Sequence, residues 1–215
     1  MDFTRLKGYL IQDTIDSDSS FYTAYSMSGI PTWAYPYDSG MDKLHIKKPY
    51  QKIYNDYVDD IESMIEKGTS IIIYADSGLS GTGKSTAQYY IAMKAVSIGY
   101  TGLCFYYSDL LALFREFLVN AELKMLFKRW VQQVDFVAID AFGSSGYSVN
   151  KEYVISGMSD LVYYLDNGSA HRIPLFVSSV IQHNIIEKLM DKSAYSKLYA
   201  NHVFVELAGT DIRIK

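Results

Sequence analysis

A glycine-rich segment constrains this sequence more than any other feature. Residues 78–85 read GLSGTGKS and match the pattern GxxxxGK[ST] without a gap. The run SIIIYA at 70–75 precedes it and predicts a strand buried on both faces, while residues 85–98 predict a helix. A glycine loop between a strand and a helix directs backbone N–H groups and a helix N-terminus at an anion. The sequence therefore predicts a phosphate-binding loop (P-loop) in an α/β protein.

Strand and helix patterns alternate along the rest of the chain. A helix is predicted at 49–67, before the first strand, and later helices at 108–119 (capped by Ser108), up to 133, at 152–165 and at 184–190. Strands are predicted at 103–107, 134–139, 175–178 and 203–207. This alternation predicts a parallel sheet with right-handed crossovers and with helices on both faces.

Each residue of the glycine loop has an expected part in binding ATP, or a similar nucleoside triphosphate, with Mg²⁺. Lys84 should reach the β and γ phosphates, and the Ser85 hydroxyl should ligate the metal ion. Thr86 either meets the α phosphate or caps the helix. The backbone around the phosphate oxygens comes from Gly78, Ser80, Gly81, Thr82 and Gly83.

A second magnesium ligand is expected at the end of a neighbouring strand. The stretch FVAID at 136–140 is apolar until its first carboxylate, Asp140, which has the pattern of the Walker B aspartate. In ATPases of this kind a second acid often follows and polarises the attacking water, but here the next residue is Ala141. We therefore expect slow hydrolysis.

The composition restricts the partners that a chain like this can bind. A net charge of −4 and a pI near 5.5 argue against a broadly basic surface, so any contact with nucleic acid needs a local patch or arises in an assembly. Lys124, Lys128 and Arg129, with Trp130, are the local candidates for single-stranded DNA, and a solvated helix face is the alternative. The four histidines are too scattered to suggest a metal site, and Cys104 lies in an apolar run that predicts a buried thiol.

The sequence has no stretch of 18 apolar residues and no secretory signal pattern at its start. We therefore expect no membrane association and a cytoplasmic protein.

The order of these motifs resembles the AAA+ domain of bacterial and phage DnaC/DnaI-type replicative helicase loaders. The matching pieces are SGIP at 28–31, a helix ending in EKG at 66–68, the strand with its glycine loop, and Asp140. The resemblance runs from Ser28 to Arg213, and the transposase helper ATPase IstB is similar in the same motifs. It implies a five-stranded parallel sheet of order 5-1-4-3-2, with little or no C-terminal helical lid.

The resemblance also implies site residues and departures from the family pattern. Lys197 stands where the family places an arginine that reaches the nucleotide of a neighbouring subunit, and it keeps the charge without the planar fork. Val180 stands at the polar sensor position, for which Ser178 or Ser179 could substitute. Near the C-terminus, Arg213 either touches phosphates or pairs with Asp211.

The resemblance implies a loader that helps place a DnaB-type replicative helicase on single-stranded DNA and that self-associates through its nucleotide face. Residues 1–28 are expected to be an N-terminal extension before the AAA+ domain at 29–215. The apolar residues Phe3, Leu6, Tyr9, Leu10 and Ile11 could contact a partner or pack on the domain. Two rival functions remain. One is a P-loop kinase of a small molecule, although this sequence lacks the arginine cluster that such a kinase would need. The other is a non-hydrolysing regulator of a helicase or AAA+ partner.

Overall fold

The computed structural model describes residues 29–31, 44–75, 81–144, 152–166 and 172–208, and a five-stranded parallel sheet lies at its centre. The strand order is β2-β3-β4-β1-β5, which is the predicted order 5-1-4-3-2 counted from the other edge. The strands are β1 Ser70–Ala75, β2 Gly102–Tyr106, β3 Phe136–Phe142, β4 Leu175–Ser179 and β5 His202–Leu207. The helices are α1 Lys48–Asp59, α2 Ile61–Glu66, α3 Lys84–Ser97, α4 Tyr107–Phe117, α5 Ala121–Val131, α6 Glu152–Leu165, α7 His183–Ile186 (continued by a 3₁₀ turn, Glu187–Leu189) and α8 Lys192–Ala200.

The apolar strands are continuous runs because helices cover both faces of the sheet. All residues of β1 are buried, as they are in β4. One face packs on α1, α2 and α3, and there the rings of Phe136 and Phe176 stack with centroids 4.8 Å apart. The other face packs on α4 to α8 around Phe114 and Phe127. The two cores hold the carboxyl edges of the strands in fixed positions.

The structure corrects two predicted helix boundaries and adds one helix that was not predicted. The helix predicted at 49–67 is two helices, because Asp60 leaves helical geometry at φ −109° and ψ 36°. Ser108 does not cap α4, which begins one residue earlier, at Tyr107, directly after β2. Helix α8 was not predicted, although its N-cap, Asp191, is a residue type that favours that position.

The edge strand β5 is covered at its end by the chain segment before α1. Ile46 forms an antiparallel bridge with Leu207, and the Ala208 N–H donates to the His45 carbonyl at 2.6 Å. Lys47 adds a backbone bond and an ion pair to Glu206. The last residues of the edge are therefore paired within the chain.

The described part of the chain contains no helix that is long and apolar enough to cross a membrane.

We expect Asp191→Ala to lower the free energy of unfolding by about 1 kcal/mol at neutral pH, because an N-cap is lost. The Asp191 carboxylate accepts from the Ala194 N–H at 2.9 Å and from the Tyr163 hydroxyl. The bond from the Ala194 N–H is the main cause that lowers the pKa of this carboxyl. The pKa of Asp191 is lower in the folded protein than in the unfolded chain, where it is about 3.9. The carboxylate therefore stabilises the fold at any pH above about 3.9, and this stabilisation is lost as the pH falls through the pKa of the folded state.

Urea unfolding of wild type and variant between pH 7 and pH 2 measures this difference. Asp191→Asn is the control, because it keeps an acceptor for the N-cap but cannot titrate. The expectation fails if the difference between wild type and Asp191→Ala stays constant down to pH 2.

Candidate functional site

The described part of the glycine loop, residues 81–83, passes directly into α3 at the sheet edge where β3 and β4 end. Gly81 has φ 74° and Gly83 has φ 91°, a left-handed conformation that side-chain-bearing residues rarely adopt. Gly83 is the N-cap of α3, and its carbonyl accepts from the Ala87 N–H at 2.8 Å. The loop can therefore turn sharply into a helix whose N-terminus faces the sheet edge. Gly78 and Ser80 lie outside the described residues.

The polar side chains that follow the loop are held close to the protein. Lys84 is only 6% exposed, and its ammonium group donates to the Thr82 hydroxyl at 3.2 Å. Thr82 is itself buried. Ser85 and Thr86 lie half-buried in the first turn of α3. A buried ammonium group at a helix N-terminus makes this corner of the protein favourable for an anion.

Asp140 is the buried acceptor at the centre of the site. Its Oδ1 accepts from the Ser85 hydroxyl at 2.6 Å, from the Ser178 hydroxyl, and from the Ala141 N–H at 2.8 Å. Of the two serines considered as sensor substitutes, Ser178 is the one that contacts the site. Ser179 instead donates to the Ile181 carbonyl at 2.7 Å.

The charge of Asp140 affects its neighbours on the α3 side of the sheet. Burial, and then the negative charge of Asp140, raises the pKa of the Tyr89 hydroxyl and that of the Cys104 thiol well above their usual values. Cys104 is buried, as its apolar surroundings in the sequence predict. Both groups are therefore neutral at physiological pH, and the thiol is unreactive.

The Ser85 and Asp140 oxygens fit a magnesium site. They lie 2.6 Å apart, close to the spacing of about 3 Å between adjacent ligands of an octahedral ion with bonds of about 2.0–2.1 Å. A hydroxyl and one carboxylate also suit Mg²⁺, which keeps several waters and takes further ligands from phosphates. The described residues contain no group of three or more His, Cys, Asp or Glu side chains that could together hold a metal ion. A site of this composition needs none.

Strand β3, predicted to end at Asp140, continues through Phe142, and its backbone is irregular just after Asp140. The register between β3 and β4 shifts between Ile139 and Phe142, so β3 carries one extra residue there. Ala141 has φ 54°, and its N–H also lies 3.0 Å from the Ser178 hydroxyl oxygen. The position of the expected second acid is therefore a bulge with a methyl side chain.

We expect Ala141→Gly to raise the free energy of unfolding by about 0.5 kcal/mol. Glycine removes the strain of a left-handed backbone at an alanine, which is about 1–2 kcal/mol. This gain exceeds the conformational entropy that glycine adds to the unfolded chain, which costs about 0.5–1 kcal/mol. Ala138→Gly, at a buried position of the same strand, is the matched control and should destabilise by about 1 kcal/mol or more. Denaturant unfolding measures both, and equal destabilisation by the two variants would contradict the expectation.

Lys197, predicted to act on the nucleotide of a neighbouring subunit, lies on α8 and forms an ion pair with Asp166, the residue directly after α6. Its side chain is 40% exposed. Action on a neighbouring subunit would therefore require this ion pair to break. Arg213 and Asp211 lie outside the described residues.

The patch considered for single-stranded DNA is mostly engaged within the protein. Lys124 pairs with Asp160, and the Lys128 ammonium lies 5.6 Å from the centroid of the Tyr164 ring. Trp130 is buried, so it offers no stacking surface. Arg129 remains as the exposed cation of this helix. The contacts favour a helix face that packs on α6 over a basic binding patch.

The sheet order, the loop that caps α3 and the buried carboxylate on β3 together define the AAA+ class of P-loop folds. Among solved structures the chain is similar to DnaI, with a TM-score of 0.60 and 11% identity over 83% of this chain and 94% of that one. It is also similar to the DnaC helicase loader, with a TM-score of 0.59 and 14% identity over 83% of this chain and 100% of that one. The chain therefore has the fold of the DnaC-like AAA+ helicase loaders.

A third similar structure is AMPPCP-bound DnaA from Aquifex aeolicus, with a TM-score of 0.58 and 17% identity over 75% of this chain and 47% of that one. The chain spans about half the length of that DnaA chain. No protein-family model matches the sequence, and no curated protein matches it.

Proposed function

We propose that this protein is an ATP-binding, replication-related AAA+ protein that assists the placement of a replicative helicase on single-stranded DNA. The observation that carries the proposal is the contact between Ser85 and Asp140, 2.6 Å apart, beside the buried Lys84, in a fold similar to the DnaC helicase loader. Fold alone does not specify an activity. The polar groups at the sheet edge support the nucleotide part of the proposal.

The chain's own groups would bind the triphosphate in a definite arrangement. The backbone of Gly81 to Gly83 and the N-terminus of α3 would surround the phosphate oxygens, and Lys84 would leave Thr82 to reach the β and γ phosphates. Ser85 and Asp140 would hold Mg²⁺, which when bound neutralises charge on the phosphates. The Ser178 hydroxyl, already bonded to Asp140, would keep that carboxylate oriented towards Ser85.

Hydrolysis at this site is expected to be slow. Ala141 cannot polarise water, and the resemblance to the helicase loaders places Lys197 where an arginine would act from a neighbouring subunit. A trans arginine alone is worth about 10³ to 10⁵ in rate, so its loss removes a large part of the acceleration. We propose that bound nucleotide sets an assembly state, since a ligand shifts an equilibrium by its different affinity for two conformations. Self-association through the nucleotide face would then depend on ATP.

A non-hydrolysing regulator of a helicase or of another AAA+ protein is the second candidate. The observation that favours it is the residue type at position 141, where alanine puts a methyl group instead of an acidic side chain directly after Asp140. Both functions require nucleotide binding, and they differ in what the bound partner then does. A regulator would hold the helicase without transferring it to DNA.

Binding of the full chain to a DnaB-type helicase, with Mg²⁺ and either ATP or ADP, tests the proposal. We expect the helicase to bind more tightly in ATP and to be transferred to single-stranded DNA. Helicase binding without transfer would favour the regulator. Absence of nucleotide binding by the wild-type protein would reject both functions.

A further inference from the structure

Strand β2 ends beside Asp140 at the same edge of the sheet. Tyr106 is the register partner of Asp140, and the pairs Cys104 with Ala138 and Gly102 with Phe136 precede it. Side chains alternate along a strand, so Tyr106 projects to the same face as Cys104, which packs on the α3 side. Asp140 lies on that side too, because it bonds to Ser85 of α3. The two side chains are therefore neighbours on one face.

Tyr106 is exposed where the rest of its strand is buried. The ring is 39% exposed, whereas the four preceding strand residues are buried. The chain passes from β2 into α4 at Tyr106, which is the N-cap of that helix, with no loop in between. Its backbone is therefore fixed by a strand on one side and by a helix on the other.

A buried tyrosine fixes the phenol of Tyr106 as well. Tyr89 lies on α3, is 1% exposed, and is hydrogen-bonded to the Tyr106 side chain. Because Tyr89 is buried on α3, this bond ties the Tyr106 side chain to that helix. The charge of Asp140 acts on the same Tyr89 hydroxyl. Tyr89 and Tyr106 are thus a hydrogen-bonded pair that lies within the electrostatic influence of Asp140.

We propose that the Tyr106 hydroxyl binds the terminal phosphate of a nucleoside triphosphate. Tyr89 is the positioning residue that holds the Tyr106 ring in place. The proposal rests on the proposed nucleotide site. A phenol has one O–H donor and also acceptor lone pairs, so the Tyr106 hydroxyl can accept from Tyr89 and donate to an anion at the same time. Tyr106 then supplies a neutral donor at an edge where the residue after Asp140 has only a methyl group. The diphosphate lacks the group that Tyr106 would contact.

Calorimetric titration of the full chain with Mg²⁺ and either AMPPCP or ADP tests the assignment. We expect Tyr106→Phe to weaken AMPPCP binding about 10-fold and ADP binding less than about twofold, since it removes one hydrogen bond to a charged group. Tyr89→Phe should weaken AMPPCP binding by a smaller factor, because it frees the Tyr106 ring without removing the donor. Tyr100→Phe, just before the opposite end of the same strand, is the matched control and should change neither affinity.

The ratio of AMPPCP affinity to ADP affinity distinguishes this role from a purely structural one. If Tyr106 only supported the local fold, its replacement would weaken the binding of both ligands equally or of neither. An unchanged ratio in Tyr106→Phe, with normal binding by the wild type, overturns the assignment and leaves the nucleotide site standing. Failure of the wild type to bind either ligand overturns both proposals. Thermal unfolding without nucleotide confirms that the variants are folded.

Discussion

Lys84→Ala is expected to weaken the binding of ATP with Mg²⁺ about 100-fold, because hydrogen bonds from an ammonium group to phosphate are worth about 1.5–3 kcal/mol each. The lysine is nearly buried beside Thr82, so its charge sits at the site before any ligand binds. Fluorescence titration with a labelled ATP analogue measures the loss.

Lys52→Ala is the control for this variant. Lys52 is an exposed lysine whose partner, Asp56, lies one helical turn away on α1. Its replacement should leave ATP affinity unchanged. If Lys84→Ala bound ATP as tightly as the wild type, the glycine loop would not be the phosphate site.

Phe176→Ala is expected to lower the free energy of unfolding by about 3–5 kcal/mol, the range for truncation of a buried phenylalanine. The ring is fully buried on β4, stacks on Phe136, and meets the Tyr57 ring edge-on at 6.1 Å. The backbone carbonyl of Phe176 also accepts from the buried side-chain amide of Gln88 at 3.0 Å. The cavity would open between the sheet and α3, where the surrounding helix is fixed at the glycine loop and can collapse little.

Urea unfolding monitored by circular dichroism measures this change. Leu118→Ala, at a position 67% exposed in the turn after α4, should change the free energy of unfolding by less than about 0.5 kcal/mol. A loss below about 1 kcal/mol in Phe176→Ala would mean that the core repacks around the missing ring.

The strands of the parallel sheet could be predicted from the sequence, because buried parallel strands are short apolar runs. Their order was implied by the resemblance to the helicase loaders, and the structure confirms it. Asp140 could be located for the same reason, as the first carboxylate in an apolar strand. These features depend on a few adjacent residues. The roles of Gly78, Ser80 and Arg213 stay predictions, because these residues lie outside the described ranges. The domain boundary at residue 28 stays a prediction too, because residues 1–28 are not described.

Other parts of the site depend on contacts that no local pattern carries. The left-handed Ala141 arises from a register shift against β4, and alanine gives no sign of it in a sequence. The pairing of Lys197 with Asp166 joins two helices across 31 positions of chain. The link from Tyr89 to Tyr106 was hidden among the 20 tyrosines, because only the fold brings α3 to the end of β2.

The antiparallel bridge between Ile46 and Leu207 affects how copies of this protein can meet. An edge strand with open N–H and C=O groups invites another chain to extend the sheet, which is a common start of domain exchange and fibril growth. Here the backbone groups at Glu206 and Ala208 already bond to the segment before α1. A neighbouring molecule that approaches this end of the edge therefore meets backbone groups that are already paired, so contact there depends on side chains and strand addition is disfavoured.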